Sequence, residues 1–496
     1  MPGKIDFNFN LGTAPRARSR ETDRMRILVM GDFTGSELSR DDLKRHAILR
    51  VDWDNFDEVL ARFAPTIRLG EVADEILKIG GLNDFDPDKL FASNKLFEKF
   101  RDLRARLSNS ATFEAAAAEI RDPQGLTEDA PQDDHATQPE AGDSNELARL
   151  LQEDTKPVAR RSMIDELLRV AVQDHIVAGQ NPEQETMVEW LDQQISVLMR
   201  VVLHDPSFER TEAIWRSLHE LITNVDNTEE LTIHLVQASK AELSSDLEQA
   251  GGDLSRTWIY RLLVDDGAGS SGGEPWSVVI GDYEFCEDEA DLNLLGAFGA
   301  IISRQVGGIF LSGAAPDLIG CPNRQALSDS HLWASGQDSR FENWRALRQM
   351  PYARTIGLTL PRVLLRQPYG KGSDEVGSFA FEEQTSPPAH NLFLWGNGAF
   401  LCARLLAQCF TEAEGWEFNP DAHLGVDGLP LWTYEENGQT EIQPVAEVAM
   451  PEMAASEMAR RGVMTMCSVR NQNACRLLQF LPITGTSAKL SGSWSG

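Results

Sequence analysis

Apolar and polar positions along this chain switch between two periods, and the switches lay out an interleaved series of strands and helices. Residues 26–30 form a short apolar run leaving through Gly31-Asp32, the pattern of a buried strand that ends in a tight turn. In 54–63 the side chains Phe56, Val59, Leu60 and Phe63 recur at helical spacing, and Pro65 closes the segment. The loop 84–90 offers Asp86 as an N-cap and Pro87 as the first residue of a helix. Leu96, Phe97, Phe100, Leu103 and Leu107 continue an amphipathic stripe, and the Ala-rich run 113–120 favours helix by propensity.

A second series begins further on. Helix is predicted from about 163 to 222, with Asp205 capping, Pro206 starting, and Phe208, Trp215, Leu218 and Ile222 at helical intervals. Residues 231–236 alternate like a strand. Further strands are expected at 277–280, 308–312, 355–360 and 463–468, with helices at 290–304 and 397–410 between them. Strands interleaved with helices imply an α/β fold, and no internal repeat is present.

Between the two series the composition changes. From Asp122 to about Pro157, Pro123, Pro131 and Pro139 alternate with Asp, Glu, Gln and Gly, and bulky apolar residues nearly vanish. Such a stretch buries too little surface to offset its ordering entropy, so it reads as a disordered acidic tether. The expected organisation is therefore an α/β block at 1–121, a linker at 122–157 and a larger α/β block at 158–496. Near the linker's end, Leu147, Leu150 and Leu151 mark a short amphipathic helix. It is too short to be stable alone, and two readings stay open: a docking peptide, or a helix packed on its own second block.

Charge narrows the partners. The net charge of −31 opposes non-specific nucleic-acid binding, which needs Lys and Arg to neutralise phosphates. It equally disfavours anionic lipid surfaces. The first residues lack the apolar core of a secretory signal, and no apolar run approaches the ~20 residues of a membrane span. The six cysteines form no CxxC or His/Cys cluster, which fits reduced thiols in a cytoplasmic protein.

Candidate chemistry is thin. Residues 269–273 match G-x-S-x-G around Ser271, but they lie in a Gly/Ser-rich loop and lack the strand-to-helix turn the motif requires. Gly370-Lys371 has no glycine five residues earlier, so the phosphate-loop pattern fails. Gly396-Asn397-Gly398 has Leu401 where a third glycine belongs and reads as a turn before a helix. His234 and His331 read as single polar contacts. Asp282, Glu284, Glu287, Asp288 and Glu289 crowd together as a solvated helix start favoured by the helix dipole. Cys402 and Cys409 read as one core stripe. No catalytic group, cofactor or metal site is expected.

The segments Gly31-Asp-Phe-Thr-Gly35, Val51-Asp-Trp-Asp-Asn-Phe-Asp57, Ala64-Pro65 and Asp84-Phe-Asp-Pro-Asp-Lys-Leu90 resemble the small subunit of the type VI secretion contractile sheath, VipA or TssB. From Met163 to about Phe480 the chain resembles the large subunit, VipB or TssC. That resemblance rests on Leu203-His-Asp-Pro-Ser-Phe208, Trp215-Arg-Ser-Leu218, Gly273-Glu-Pro275, Ile280-Gly-Asp-Tyr-Glu-Phe285, Gly357-Leu-Thr-Leu-Pro-Arg362, Pro368-Tyr-Gly370 and Leu394-Trp-Gly-Asn397.

The resemblance implies a non-enzymatic, structural role in a fused chain. Expected partners are other sheath subunits, the inner tube protein Hcp, baseplate proteins and the ClpV unfoldase, which in the family engages a helix near the large subunit's N-terminus. The stretch around Leu147, Leu150 and Leu151 is nearest that position. A sheath-like accessory, such as a cap or baseplate-linked adaptor, is the alternative. Family large subunits continue beyond the counterpart of Phe480 with strands added to neighbours, so the short segment here leads to an expectation of limited self-polymerisation. Ile5, Phe7 and Phe9 alternate with polar residues, as in an edge strand lent to a neighbouring sheet; a frayed terminus is the other reading.

Overall fold

The computed structural model describes residues 5–11, 24–35, 47–69, 76–121, 182–269, 274–304, 307–436, 438–486 and 488–495. The first strand, β1 (Met25–Gly31), extends the predicted run by one residue at each end. Its side chains alternate between two cores: Ile27 and Val29 enter one, Leu28 and Met30 the other, all fully buried. A strand apolar on both faces needs helices on both sides. Short strands follow: β2 (Leu49–Val51), then β3 (Thr66–Arg68) and β4 (Ile76–Lys78), which pair as a separate ribbon.

The later part supplies β5 (Leu231–Gln237), β6 (Val278–Phe285), β7 (Ile309–Ala314) and β8 (Ile356–Leu360). A two-residue pair, β9 (Val363–Leu364) and β10 (Trp395–Gly396), comes next, then β11 (Gly425–Val426). The hairpin of β12 (Trp432–Glu436) and β13 (Gln439–Gln443) precedes β14 (Met464–Ser468) and β15 (Cys475–Leu477). One sheet runs in the order β11-β15-β14-β8-β7-β6-β1-β5-β2. Its centre, from β5 through β14, is parallel, with antiparallel β2 at one edge and antiparallel β15 and β11 at the other.

The α/β class read from the pattern is therefore present, but the sheet is shared. β1 is hydrogen-bonded between β5 and β6, and β2 pairs with β5, so the first block contributes strands to the second block's sheet. Periodicity gives a strand its two faces and says nothing about its neighbours.

Helices pack on both faces. Phe56–Phe63, Pro182–Leu203, Pro206–Thr223 and Ala399–Glu412 bury their apolar sides in the core with Ile27 and Val29. Lys240–Ala250, Glu289–Ile302, Glu342–Arg348 and Glu452–Arg460 cover the face of Leu28 and Met30. The stripe of Leu96, Phe97, Phe100 and Leu107 is buried as expected, with Leu103 half-buried. Cys402 and Cys409 are buried, unpaired and on one helix. The expected linker 122–157, its leucines Leu147, Leu150 and Leu151, and the expected helical stretch before residue 182 lie outside the described residues.

Residues 5–11 run extended across the helix Glu289–Ile302. Asn343 Oδ1 accepts from the Ile5 amide at 3.1 Å, and the Tyr352 hydroxyl donates to the Phe7 carbonyl at 2.9 Å. Ile5 and Phe7 are buried and Phe9 is half-buried. Gly296 permits this approach, because a Cβ there would stand 3.1 Å from Phe9 and 3.2 Å from Phe7.

Candidate functional site

The chemical candidates separate in the structure. Ser271 lies outside the described residues. Gly396-Asn397-Gly398 is a turn from β10 into the helix Ala399–Glu412. Among the described residues, no group of three His, Cys, Asp or Glu side chains is placed to hold a metal ion. His234 stacks edge-on against Trp276 at 5.2 Å, and burial together with the charges of Arg26 and Arg50 pushes its pKa down to about 4.

The acidic run at 282–289 requires a correction. Asp282 and Glu284 belong to β6, not to a solvated helix start; only Asp288 and Glu289 sit at the helix opening. Asp282 is half-buried beside Asn397, and burial pushes its carboxyl up to about 7. Glu284 takes both its oxygens to Arg324, at 2.7 and 2.6 Å. The strand continues four residues past Gly281 through a register shift against β7, and no local pattern announces that.

The densest constellation is the seam where the first block meets the second. Trp215, on the helix Pro206–Thr223, is its apolar centre. Phe33, Phe56 and Phe63 approach its ring at 5.2, 5.8 and 5.6 Å, and its indole N–H donates to the Phe33 carbonyl at 3.0 Å. Buried aromatics with their polar handle satisfied give large contact area at defined geometry. Gln237, closing β5, accepts from the Phe33 amide at 2.7 Å and donates to Asp32 at 2.8 Å. Phe85 packs edge-on against Phe208 at 5.4 Å.

Beside this lies a buried ionic network. Arg366 Nε donates to Glu212 at 2.9 Å, and its two terminal nitrogens take Glu383 in a fork at 2.7 and 2.9 Å. Glu383 also accepts from the Tyr369 amide at 2.8 Å. His204 sits between two carboxylates, its Nδ1 2.7 Å from Glu209 and its Nε2 3.0 Å from Glu383. Arg216 donates to Glu212 at 2.7 Å. The Tyr369 hydroxyl donates to Asp86 at 2.8 Å, which ties the network to the first block. Asp86 does occupy the N-cap position before Pro87, but its side chain makes no cap hydrogen bond. Buried charges need such opposite charges beside them to survive.

Two further contacts close the seam. Arg104 grips Asp192 with a fork at 2.6 and 3.0 Å. Asp88 accepts from the amides of Gly377 and Ser378 at 3.0 and 2.8 Å. Sequence reasoning named none of Arg366, Glu383, Glu212 or Asp192 as site residues. A signal was nonetheless present: Phe33, Phe56, Phe85, Asp86, Asp88, His204, Phe208, Trp215 and Tyr369 all lie in the segments that carry the family resemblance. Six of those segments, around 31–35, 51–57, 84–90, 203–208, 215–218 and 368–370, therefore supply seam residues.

Comparison with known proteins agrees. Residues 185–479 match the family "EvpB/VC_A0108, tail sheath N-terminal domain", VipB. Residues 24–122 match "Type VI secretion system, VipA, VC_A0107 or Hcp2". The type VI secretion system sheath protein TssC1 of Pseudomonas aeruginosa is 30% identical over 347 residues, covering 66% of this chain and 68% of that protein.

Proposed function

The chain belongs to the type VI secretion sheath family, a VipA-like part preceding a VipB-like part, and from that premise we propose that it is a one-chain building block of the contractile sheath. Its place in a sheath is structural, and its partners include other sheath subunits. The observation that carries the one-chain reading is β1, seated between β5 and β6. In this reading residues 1–121 are the small-subunit part, 122–157 the linker and 158–496 the large-subunit part. The sheath surrounds an Hcp tube in the cytoplasm, meets baseplate proteins, and offers the segment of Leu147, Leu150 and Leu151 to the ClpV unfoldase. Ile5, Phe7 and Phe9 lie on an extended segment that can leave its seat and add as a strand to a neighbouring copy. No catalysis enters, because the work of contraction resides in how subunits repack. No helix among the described residues is long and apolar enough to cross a membrane.

The test is electron microscopy of the purified full chain mixed with preformed Hcp tubes. A regular protein layer around the tubes is expected. Tubes that stay bare at every ratio of the two proteins would sink the proposal.

A further inference from the structure

Three arginines stand together where the fold gives them no carboxylate. Arg345, Arg348 and Arg354 line a surface depression of about 820 Å³ with Gln349, Met350 and Thr484, and no acidic residue lines it. Arg345 donates to the carbonyls of Gly336 and Asp338, at 2.7 and 2.8 Å. Arg348 donates to the carbonyls of Ile483 and Arg460, at 2.6 and 2.7 Å. Carbonyls orient a guanidinium without cancelling its charge. Arg354 is exposed, and its side chain has no ion pair or hydrogen bond among the described residues. In a chain with 77 acidic and 46 basic residues, uncompensated positive charge gathered in one depression marks a place for an anionic partner.

The matching negative charge is at the other end of the sheet. The hairpin β12–β13 is a two-stranded sheet of its own, carrying Glu435, Glu436 and Glu441, all exposed. None of the three is in an ion pair among the described residues. Trp432 at its base packs on Phe393 at 5.4 Å, which anchors an element that would be marginal alone. The arginine depression lies at the amino ends of the parallel strands: Arg354 precedes β8 by two residues, and the Ile483 amide donates to Ile356. The hairpin leaves from the carboxyl ends, where the Leu364 amide donates to Val445 and the Glu447 amide to Arg362.

Patches of opposite sign at opposite ends of one molecule cannot satisfy each other across a two-fold axis at a shared patch. A head-to-tail contact satisfies both and repeats from copy to copy, as a ring where its rotation closes and as an open chain where it does not. We infer that the Arg345, Arg348 and Arg354 depression receives the β12–β13 hairpin of a second copy, so that copies stack along their central strands. This rests on and deepens the sheath reading.

Sedimentation velocity of the full chain at low ionic strength, where charged contacts are least screened, tests it. The parent should associate with rising concentration and dissociate with salt. Arg354→Glu, and separately Glu435→Arg with Glu436→Arg, should each weaken association at least about tenfold, equivalent to about 1.4 kcal/mol. A chain carrying both reversals restores opposite signs and should regain most of the association. Circular dichroism of each variant confirms folding. A parent that stays monomeric, single reversals that associate like the parent, or no recovery in the combined variant overturns the contact. Hcp-tube coating by the Arg354→Glu chain is followed in parallel. Tubes left bare by both the parent and the variant sink the sheath reading and leave the contact to be judged by sedimentation, whereas tubes coated equally by both overturn the stacking contact and leave the sheath reading standing.

Discussion

His204 couples the seam to pH through two neighbouring carboxylates. Burial by itself would lower its pKa, but the hydrogen bond His204 donates to Glu209 and the nearby Glu383 hold it up at about 9. Glu383 shows the opposite balance: burial would raise it, and Arg366 with His204 bring it down to about 2. Unfolded histidine titrates near about 6.5 and unfolded glutamate near about 4.3. The histidine's contribution is therefore complete below about pH 6.5 and is lost as pH rises through about 9. The glutamate's contribution is complete above about pH 4.3 and is lost as pH falls towards about 2. Urea midpoints, followed by circular dichroism, should be highest and flat between those limits and fall on both sides. His204→Gln should flatten the alkaline fall while keeping the acid one. An alkaline fall of unchanged size in that variant would assign it to another group.

At the scale of elements, the helix Pro206–Thr223 organises the seam, since Phe208, Glu212, Trp215 and Arg216 all project from it. Its start is fixed by Asp205, whose carboxylate accepts from the amides of Ser207 and Phe208 at 2.8 and 3.3 Å. Losing such a cap costs about 0.5–2 kcal/mol, and Asn caps nearly as well as Asp. Asp205→Ala should lower stability in urea by about that amount, with Asp205→Asn close to the parent. Equal losses for both would mean that the charge, rather than the cap, matters. The pattern at Asp86 looks the same in sequence, yet there the carboxylate serves Tyr369 instead of its own helix. One cap signature therefore stands for a local device in one place and a long-range tie in the other.

For the whole molecule, the position of β1 governs what the linker does. Both edges of β1 are occupied by strands of the second block, so the two blocks share hydrogen bonds as well as side-chain packing. A covalent tether raises the effective concentration of one block for the other to roughly millimolar, which aids assembly but is not needed once the sheet has formed. Cleavage at a protease site inserted within 122–157 should leave two fragments that co-elute on size exclusion. The first fragment expressed alone should be insoluble, because β1 would expose two open edges and two apolar faces. Fragments that part freely after cleavage would contradict the shared sheet.

The elements themselves were legible in the sequence because burial leaves a local period. Strands at β1, β5, β7, β8 and β14, the helices Phe56–Phe63, Pro206–Thr223, Glu289–Ile302 and Ala399–Glu412, the Asp205 cap and the Cys402–Cys409 stripe follow from spacing alone, whereas the helices Lys240–Ala250, Glu342–Arg348 and Glu452–Arg460 do not. The segments carrying the family resemblance likewise held most of the seam's aromatic residues. Strand order, by contrast, is decided by which edges meet after collapse, and nothing within residues 25–31 specifies β5 and β6 as neighbours. The same holds for charge. Asp282 and Glu284 looked like a solvated helix start until the register of β6 drew them into the sheet, and Arg366 and Glu212 are 154 residues apart. Buried ions require partners, but their identity depends on chain paths that only the tertiary structure brings together.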